Sequence, residues 1–307
     1  MTLPTVKPLP VVAIFGPTGV GKTAVAITLA ERLRARGEDP VAVSADALQL
    51  YAGLGILTGA ATEHEQAALE HRLVGIVPVS DSFSAGRYAQ LAHAEIDALL
   101  AAGRRPIVVG GTGLYLRAAL ADLDLRPPPQ PALRERWTGA LAARGAADLH
   151  AELARRAPHA AAAVAPTDGY RLVRALELLD AGHAPPQRSG ASELWTAATR
   201  HPTVLAALVM DRDALEARID ARVDAMVAAG VCEEVRAAAA AGASKQARAA
   251  LGFDALLGGD VAAVKQATRR YARRQLTWLR KLPNVLRIDA TGRELADVAE
   301  EVQAALP

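Results

Sequence analysis

Val11-Val-Ala-Ile-Phe-Gly-Pro-Thr-Gly-Val-Gly-Lys-Thr23 is the stretch that decides the fold. Its first five residues are apolar at every position rather than at alternate ones, as in a parallel strand covered on both faces. The next eight, Gly16-Pro17-Thr18-Gly19-Val20-Gly21-Lys22-Thr23, fit G-x-x-x-x-G-K-[ST] in full. In such a loop the glycines permit a turn whose backbone N–H groups face phosphate oxygens, Lys22 adds a point charge, and the Thr23 hydroxyl is a ligand for Mg²⁺. The loop does not say which phosphate compound it holds.

Working outward, a helix is predicted from Lys22 to about Arg36, and Gly37-Glu-Asp-Pro40 ends it. Val41-Ala-Val-Ser-Ala-Asp46 then reads as a second strand, and the β-α-β order requires a parallel sheet. Residues 87–102 carry Leu91, Ile96, Leu99 and Leu100 at helical spacing, and Pro106-Ile-Val-Val109 is a further strand ending in Gly110-Gly-Thr-Gly113. Pro127, Pro128, Pro129 and Pro131 break the pattern, after which residues 132–182 are almost wholly helix-forming. Thr203 to Met210 returns as an apolar strand, followed by helical stretches at about 213–240 and 260–281. The expected fold class is α/β: a P-loop-containing, doubly wound parallel sheet core with an inserted helical subdomain and C-terminal helices. The expected divisions are 1–125 for the first part of the core, 126–200 for the insert and 201–307 for core completion.

The chain has 307 residues with 35 basic and 33 acidic side chains, so its net charge of +2 excludes a polyanionic or grossly basic protein. Half the residues are apolar, but 70 are Ala and only 11 aromatic, which points to a helix-rich core of small side chains. The single Cys232 forms no intramolecular disulfide, and no Cys/His cluster has zinc spacing. The N-terminus lacks a signal-peptide apolar region, and no run reaches about 18 uninterrupted apolar residues. A soluble, cytoplasmic protein is expected.

An NTPase of this type carries an apolar strand ending in Asp to hold its metal, but the strand at 106–109 ends in Gly-Gly-Thr, which weakens the case for nucleotide hydrolysis. Asp46 is the carboxylate nearest the loop in fold terms; it reads as a base on the acceptor side or as a helix N-cap. Between Val261 and Ile288 there are eight Lys/Arg and no Asp or Glu. Arg269 and Arg273, like Arg270 and Arg274, share helix faces, and Tyr271 and Trp278 fall on one face. Such a helix either follows a phosphate backbone and stacks on unpaired bases, or is a solvated basic face whose aromatics belong to the core. Arg171 and Arg174 beside Tyr170 form a second basic set, with ordinary surface arginines as the alternative. Arg218 and Arg222 lie one turn apart, where helix-surface salt bridging explains them equally well.

Together these pieces resemble the tRNA dimethylallyltransferase family from about residue 11 to 290. Beside the loop, the marks are Ser44-Ala-Asp-Ala-Leu-Gln49 with Tyr51, Phe83-Ser-Ala85, Val109-Gly-Gly-Thr-Gly-Leu-Tyr115 and Arg171-Leu-Val-Arg-Ala-Leu-Glu177. Arg218-Ile-Asp-Ala-Arg-Val-Asp-Ala-Met226 and Thr268-Arg-Arg-Tyr-Ala-Arg-Arg-Gln-Leu-Thr-Trp-Leu-Arg280 complete the set. The resemblance implies transfer of a dimethylallyl group from dimethylallyl diphosphate to N6 of an adenosine beside the anticodon of tRNA. It implies that residues 16–23 hold the diphosphate with Mg²⁺, Thr23 on the metal, and that Asp46, Thr112 and Arg218 serve the reaction centre. It places Asp46, Ala47, Leu48, Gln49, Thr112, Tyr170, Arg171, Arg174, Arg273, Arg274, Gln275, Thr277, Trp278 and Arg280 on the anticodon stem-loop, in a monomer with no membrane or protein partner.

Between residues 53 and 79 the chain departs from the pattern. Where the family reads Gly-Met-Asp-Ile-Gly-Thr-Ala-Lys, this chain has Gly53-Leu-Gly-Ile-Leu-Thr-Gly-Ala60, and Gly75 and Pro78-Val79 replace a family Asp and an Asp-Pro pair. Competing readings are a P-loop kinase of a small metabolite, a prenyltransferase acting on free adenine nucleotides, and a non-enzymatic RNA-binding P-loop protein.

Overall fold

The computed structural model describes residues 9–128, 130–185 and 193–307. The N-terminal segment read for a signal peptide, Pro129 of the proline cluster and residues 186–192 of the polar segment before Thr203 lie outside the described residues. Two compact units result, Met1–Asp124 with Glu193–Pro307, and Leu125–Ser192.

In the first unit the elements run β1 (Val11–Phe15), α1 (Lys22–Arg34), β2 (Pro40–Ser44), α2 (Gly55–Thr58), α3 (Glu63–Ala68), β3 (His71–Arg72), α4 (Ala85–Ala101), β4 (Arg105–Gly110) and α5 (Gly113–Leu120). The second unit contributes α6 (Pro131–Arg156), α7 (Pro158–Ala163) and α8 (Gly169–Asp180). The chain then returns to the first unit with β5 (Thr203–Val209), α9 (Arg212–Ala228), α10 (Val231–Ala240), α11 (Phe253–Leu257), α12 (Val261–Leu279), β6 (Leu286–Asp289) and α13 (Leu295–Ala304). The six strands are parallel in the order β3-β2-β4-β1-β5-β6.

All five residues of β1 and of β2 are buried, because helices cover both sheet faces. Val12, Ile14, Ala42, Ile107, Ala206, Leu208 and Ile288 pack with Val25, Leu29 and Leu33 of α1, Leu215 and Ile219 of α9, and Val298 and Val302 of α13. Strand alternation sends Ala13, Phe15, Val41 and Val108 the other way, and they too are buried. α4 and α5 lie against β4, with α4 also against β2 and α5 against β1.

The structure modifies the expected elements in several places. β3, β6 and α13 were not expected, and the helical stretch 213–240 is two helices parted at Gly230, whose φ of 91° is open to glycine. The stretch 132–182 is three helices, and Gly145 (φ 80°, ψ 168°) interrupts the first. Trp137, Leu149, Leu153, Leu172 and Leu176 form that unit's own core. Among the described residues, no helix is long and apolar enough to cross a membrane.

The chain just after β2 packs tightly on β4 at Gly110, where an added Cβ would collide with the Ala45 carbonyl. Gly110→Ala is therefore expected to cost about 2 kcal/mol or more in urea unfolding. An unchanged midpoint and slope would show that the two strand ends are not tightly packed.

Candidate active site

Strand register brings the site together. Ser44 pairs with Val109 and Phe15 with Gly110, so β2, β4 and β1 end level with one another. Ligands in open parallel sheets gather at this edge. The phosphate loop, Asp46 and Gly111-Thr112 all leave the sheet here and share a cavity of about 1000 Å³ within the first unit. Gly19 (φ 83°) and Gly21 (φ 99°) hold the left-handed conformations that the loop needs, and Gly21 leads into α1. Val20 turns into the core, while Thr18, Gly19, Gly21, Lys22 and Thr23 line the cavity. On Gly16, a Cβ would stand 2.8 Å from the Leu208 carbonyl oxygen of β5.

The cavity is lined by Lys22, Arg222 and Arg274 together with Asp46, Glu63, Glu65 and Glu234. Lys22 Nζ donates to the Pro17 carbonyl at 3.0 Å. Its pKa is pushed down to about 8, first by burial and then by the Arg222 charge, with Asp46 opposing. Burial also works against the Arg222 guanidinium, which Asp46 and Glu65 support electrostatically. Arg218 reaches the loop from the same helix, its Nη2 being 3.3 Å from where a Cβ on Gly21 would stand. Asp46 accepts from Leu48 N–H at 3.0 Å, so its carboxylate closes a turn instead of capping a helix. Around it Tyr115 and Tyr271 are pushed up to about 12, chiefly by burial and with the Asp46 charge adding to it. Tyr88 is raised as well and donates to the Ser44 carbonyl at 2.9 Å. All three phenols thus feel the Asp46 charge. Thr112 begins α5 without capping it, and its hydroxyl meets Tyr271 at 3.3 Å.

The remaining expected residues divide. Ala47, Leu48, Gln49, Arg274 and Gln275 also line the cavity. Gln49 is engaged within the protein, accepting from Ser44 Oγ at 2.9 Å and donating to the Gly59 carbonyl at 3.1 Å. Gln275, expected on tRNA, is only 4% exposed and bonds to Thr18 and Gly111. The aromatic seam of α12 turns inward: a Cβ on Gly113 would collide with the Trp278 ring, which also lies 4.5 Å from that of Trp195. Outward on the same helix stand Arg270, Arg273, Arg274 and Thr277, with Arg280 just beyond. Arg269 is paired with Asp220. In the second unit, taken by itself, Tyr170 is 73% exposed, Arg171 pairs with Asp168, and Arg174 bonds to Glu177 and to the Pro127 carbonyl.

Arg222, left open in the sequence between a site role and surface pairing, lies in the cavity. Its guanidinium passes over Gly59 (φ 58°), where a Cβ would collide with it. The family's Ala-Lys is Gly59-Ala60 here, and this glycine gives the arginine its room. Glu234 was not anticipated: its two carboxylate oxygens accept from Ile56 and Leu57 N–H at 2.8 Å each, holding α2 over the cavity.

Residues 49–282 match the IPP transferase family model. The chain belongs to the IPP transferase family. It is 44% identical over 284 residues to a tRNA dimethylallyltransferase of Anaeromyxobacter dehalogenans, covering 88% of this chain and 91% of the relative. The corresponding protein of Thermobifida fusca is 39% identical over 300 residues, covering 94% and 92%. The full-length tRNA isopentenylpyrophosphate transferase of Bacillus halodurans superposes with a TM-score of 0.67 at 30% identity, over 97% of this chain and 98% of that one. The parallel sheet and its P-loop are thus the architecture of this family.

The Lys22 ammonium is charged below about pH 8 and increasingly neutral above it. The advantage of the wild-type protein over Lys22→Met in binding inorganic pyrophosphate is expected to be about tenfold or more at neutral pH. It should shrink as pH rises through that value. Calorimetric titration at several pH values measures both, and a ratio independent of pH contradicts the assignment.

Proposed function

We propose that the protein transfers a dimethylallyl group from dimethylallyl diphosphate to N6 of an adenosine beside the anticodon of tRNA, releasing diphosphate. One observation carries the reading: a phosphate cradle, a carboxylate base and an apolar wall of Ile56, Leu57, Met226, Val227 and Leu256 line one cavity. The names of its relatives agree with it. β4 ends in Gly110-Gly111-Thr112 with no acid to hold the metal of a hydrolysed nucleotide. A small-metabolite kinase therefore fits less well.

In this reaction the N6 amine attacks C1 of the prenyl group, a C–N bond forms, and the C–O bond to diphosphate breaks. Loop N–H groups, Lys22, Arg218 and Arg222 offset the negative charge that grows on the leaving diphosphate. Asp46 accepts the proton released by the amine, and Thr112, opposite it, orients the acceptor. Thr23 supplies an oxygen ligand for Mg²⁺, which shares the diphosphate charge when bound. The target adenine leaves its stack to enter the cavity. Arg270, Arg273, Arg274, Thr277 and Arg280 follow the tRNA backbone, and Tyr170, Arg171 and Arg174 supply a second contact. The reading needs one copy of the chain, acting in the cytoplasm where tRNA is found.

Incubation with labelled dimethylallyl diphosphate and tRNA is expected to label tRNA without ATP. Stoichiometric ATP consumption would favour the kinase instead. Asp46→Asn keeps size and hydrogen bonding but removes the base, so kcat should fall about 10²-fold or more with tRNA affinity little changed; near wild-type turnover would remove Asp46 from the chemistry. Replacing Arg270 and Arg273 by Ala should flatten the slope of log tRNA affinity against log salt by about 0.7–0.9 per lost phosphate contact. An unchanged slope would make that face merely solvated.

A further inference from the structure

Gln275 stands where three separate elements meet. From the inward face of α12 its Oε1 accepts from Thr18 N–H of the phosphate loop at 2.8 Å, and its Nε2 donates to the Gly111 carbonyl after β4 at 2.7 Å. The amide is 4% exposed. Its orientation is fixed by chemistry, since the flipped amide would set N–H against N–H and oxygen against oxygen. Gly111 makes room for it, because a Cβ there would collide with Nε2. One turn earlier, Tyr271 meets Thr112, the next residue of the same β4 turn, at 3.3 Å. Two side chains four residues apart thus tie one helix face to both sides of the cavity.

Building on the proposed function, we infer that Gln275 is a positioning residue: it sets the phosphate loop against the β4 turn, and so fixes the diphosphate relative to Thr112. The bond to Thr18 takes one loop N–H out of the cradle and orients that peptide; Val20 N–H donates to the Pro17 carbonyl at 3.4 Å, which leaves the N–H groups of Gly19 and Gly21 to face the anion. Removing the amide leaves the part-buried Thr18 N–H and the buried Gly111 carbonyl without this partner, which loosens the loop before the anion arrives. The role is distinct from a tRNA contact, because the side chain does not reach the exposed basic face of its helix.

Gln275→Met keeps length and removes both bonds. Its affinity for inorganic pyrophosphate, titrated calorimetrically, should fall about tenfold or more, with KM for tRNA within about twofold of wild type. Gln275→Glu keeps the acceptor for Thr18 and loses the donor to Gly111 while ionised. Its deficit at about pH 8 should narrow as pH falls toward about 5.5 and the protonated carboxyl regains a donor. If the Met variant does not fold, Gln275→Asn, which keeps the amide without its reach and adds no charge, is titrated in its place. A lowered melting temperature with unchanged pyrophosphate affinity, a raised KM for tRNA alone, or a Glu deficit that does not change with pH overturns the inference. Absence of prenyl transfer by the wild-type protein would instead overturn the proposed function, since the pyrophosphate comparison needs no prenyl group.

Discussion

The levelling of three strand ends is the constraint on which the rest of the site depends. β1, β4 and β2 are neighbours with Phe15 opposite Gly110 and Val109 opposite Ser44, so Asp46 and Thr112, far along the chain from the loop, arrive beside it. Ala45 N–H continues the ladder to the Val109 carbonyl at 2.8 Å, one residue before Asp46. A shift of one residue between parallel strands would turn every side chain to the opposite face. Asp46 would then face away from the loop. The absence of a side chain at Gly110 lets the two strand ends close to this distance.

On that frame the electrostatics are deliberately unbalanced. The Arg222 charge disfavours that of Lys22, and burial works against both. An anion with several oxygens relieves this at once, whereas Asp46 supplies a single negative charge. The buried phenols of Tyr88, Tyr115 and Tyr271 add polarity without adding a second base. The same arrangement suits the proposed diphosphate.

What was legible in the sequence follows from how local each signal is. The loop, the strands at 11–15 and 203–209 and the helix after Lys22 are carried by contiguous residues whose pattern needs no partner. β3 has two residues and β6 alternates within a basic stretch, so neither presents an apolar run, and both are strands only because an adjacent strand receives them. Lys22 stood out by the loop pattern and Asp46 by the strand it follows, whereas Thr112 was marked only by the family resemblance. The tie made by Gln275 spans 257 positions to Thr18 and 164 to Gly111, and Glu234 reaches α2 across 178. Spacing along one helix says nothing of such contacts. The basic face of α12 was visible as charge, but the inward turn of Tyr271 and Trp278 is decided by packing against Thr112 and Gly113.

The central claim is that one cavity holds a prenyl diphosphate on the loop with its reactive carbon turned toward Asp46. A crystal structure with tRNA and an unreactive prenyl diphosphate analogue tests it most directly. The account predicts diphosphate oxygens on the loop N–H groups, Lys22 and Arg222, with adenine N6 about 3–3.5 Å from C1 and within hydrogen-bond reach of Asp46. A diphosphate bound away from the loop, or an N6 out of reach of the Asp46 carboxylate, would contradict it.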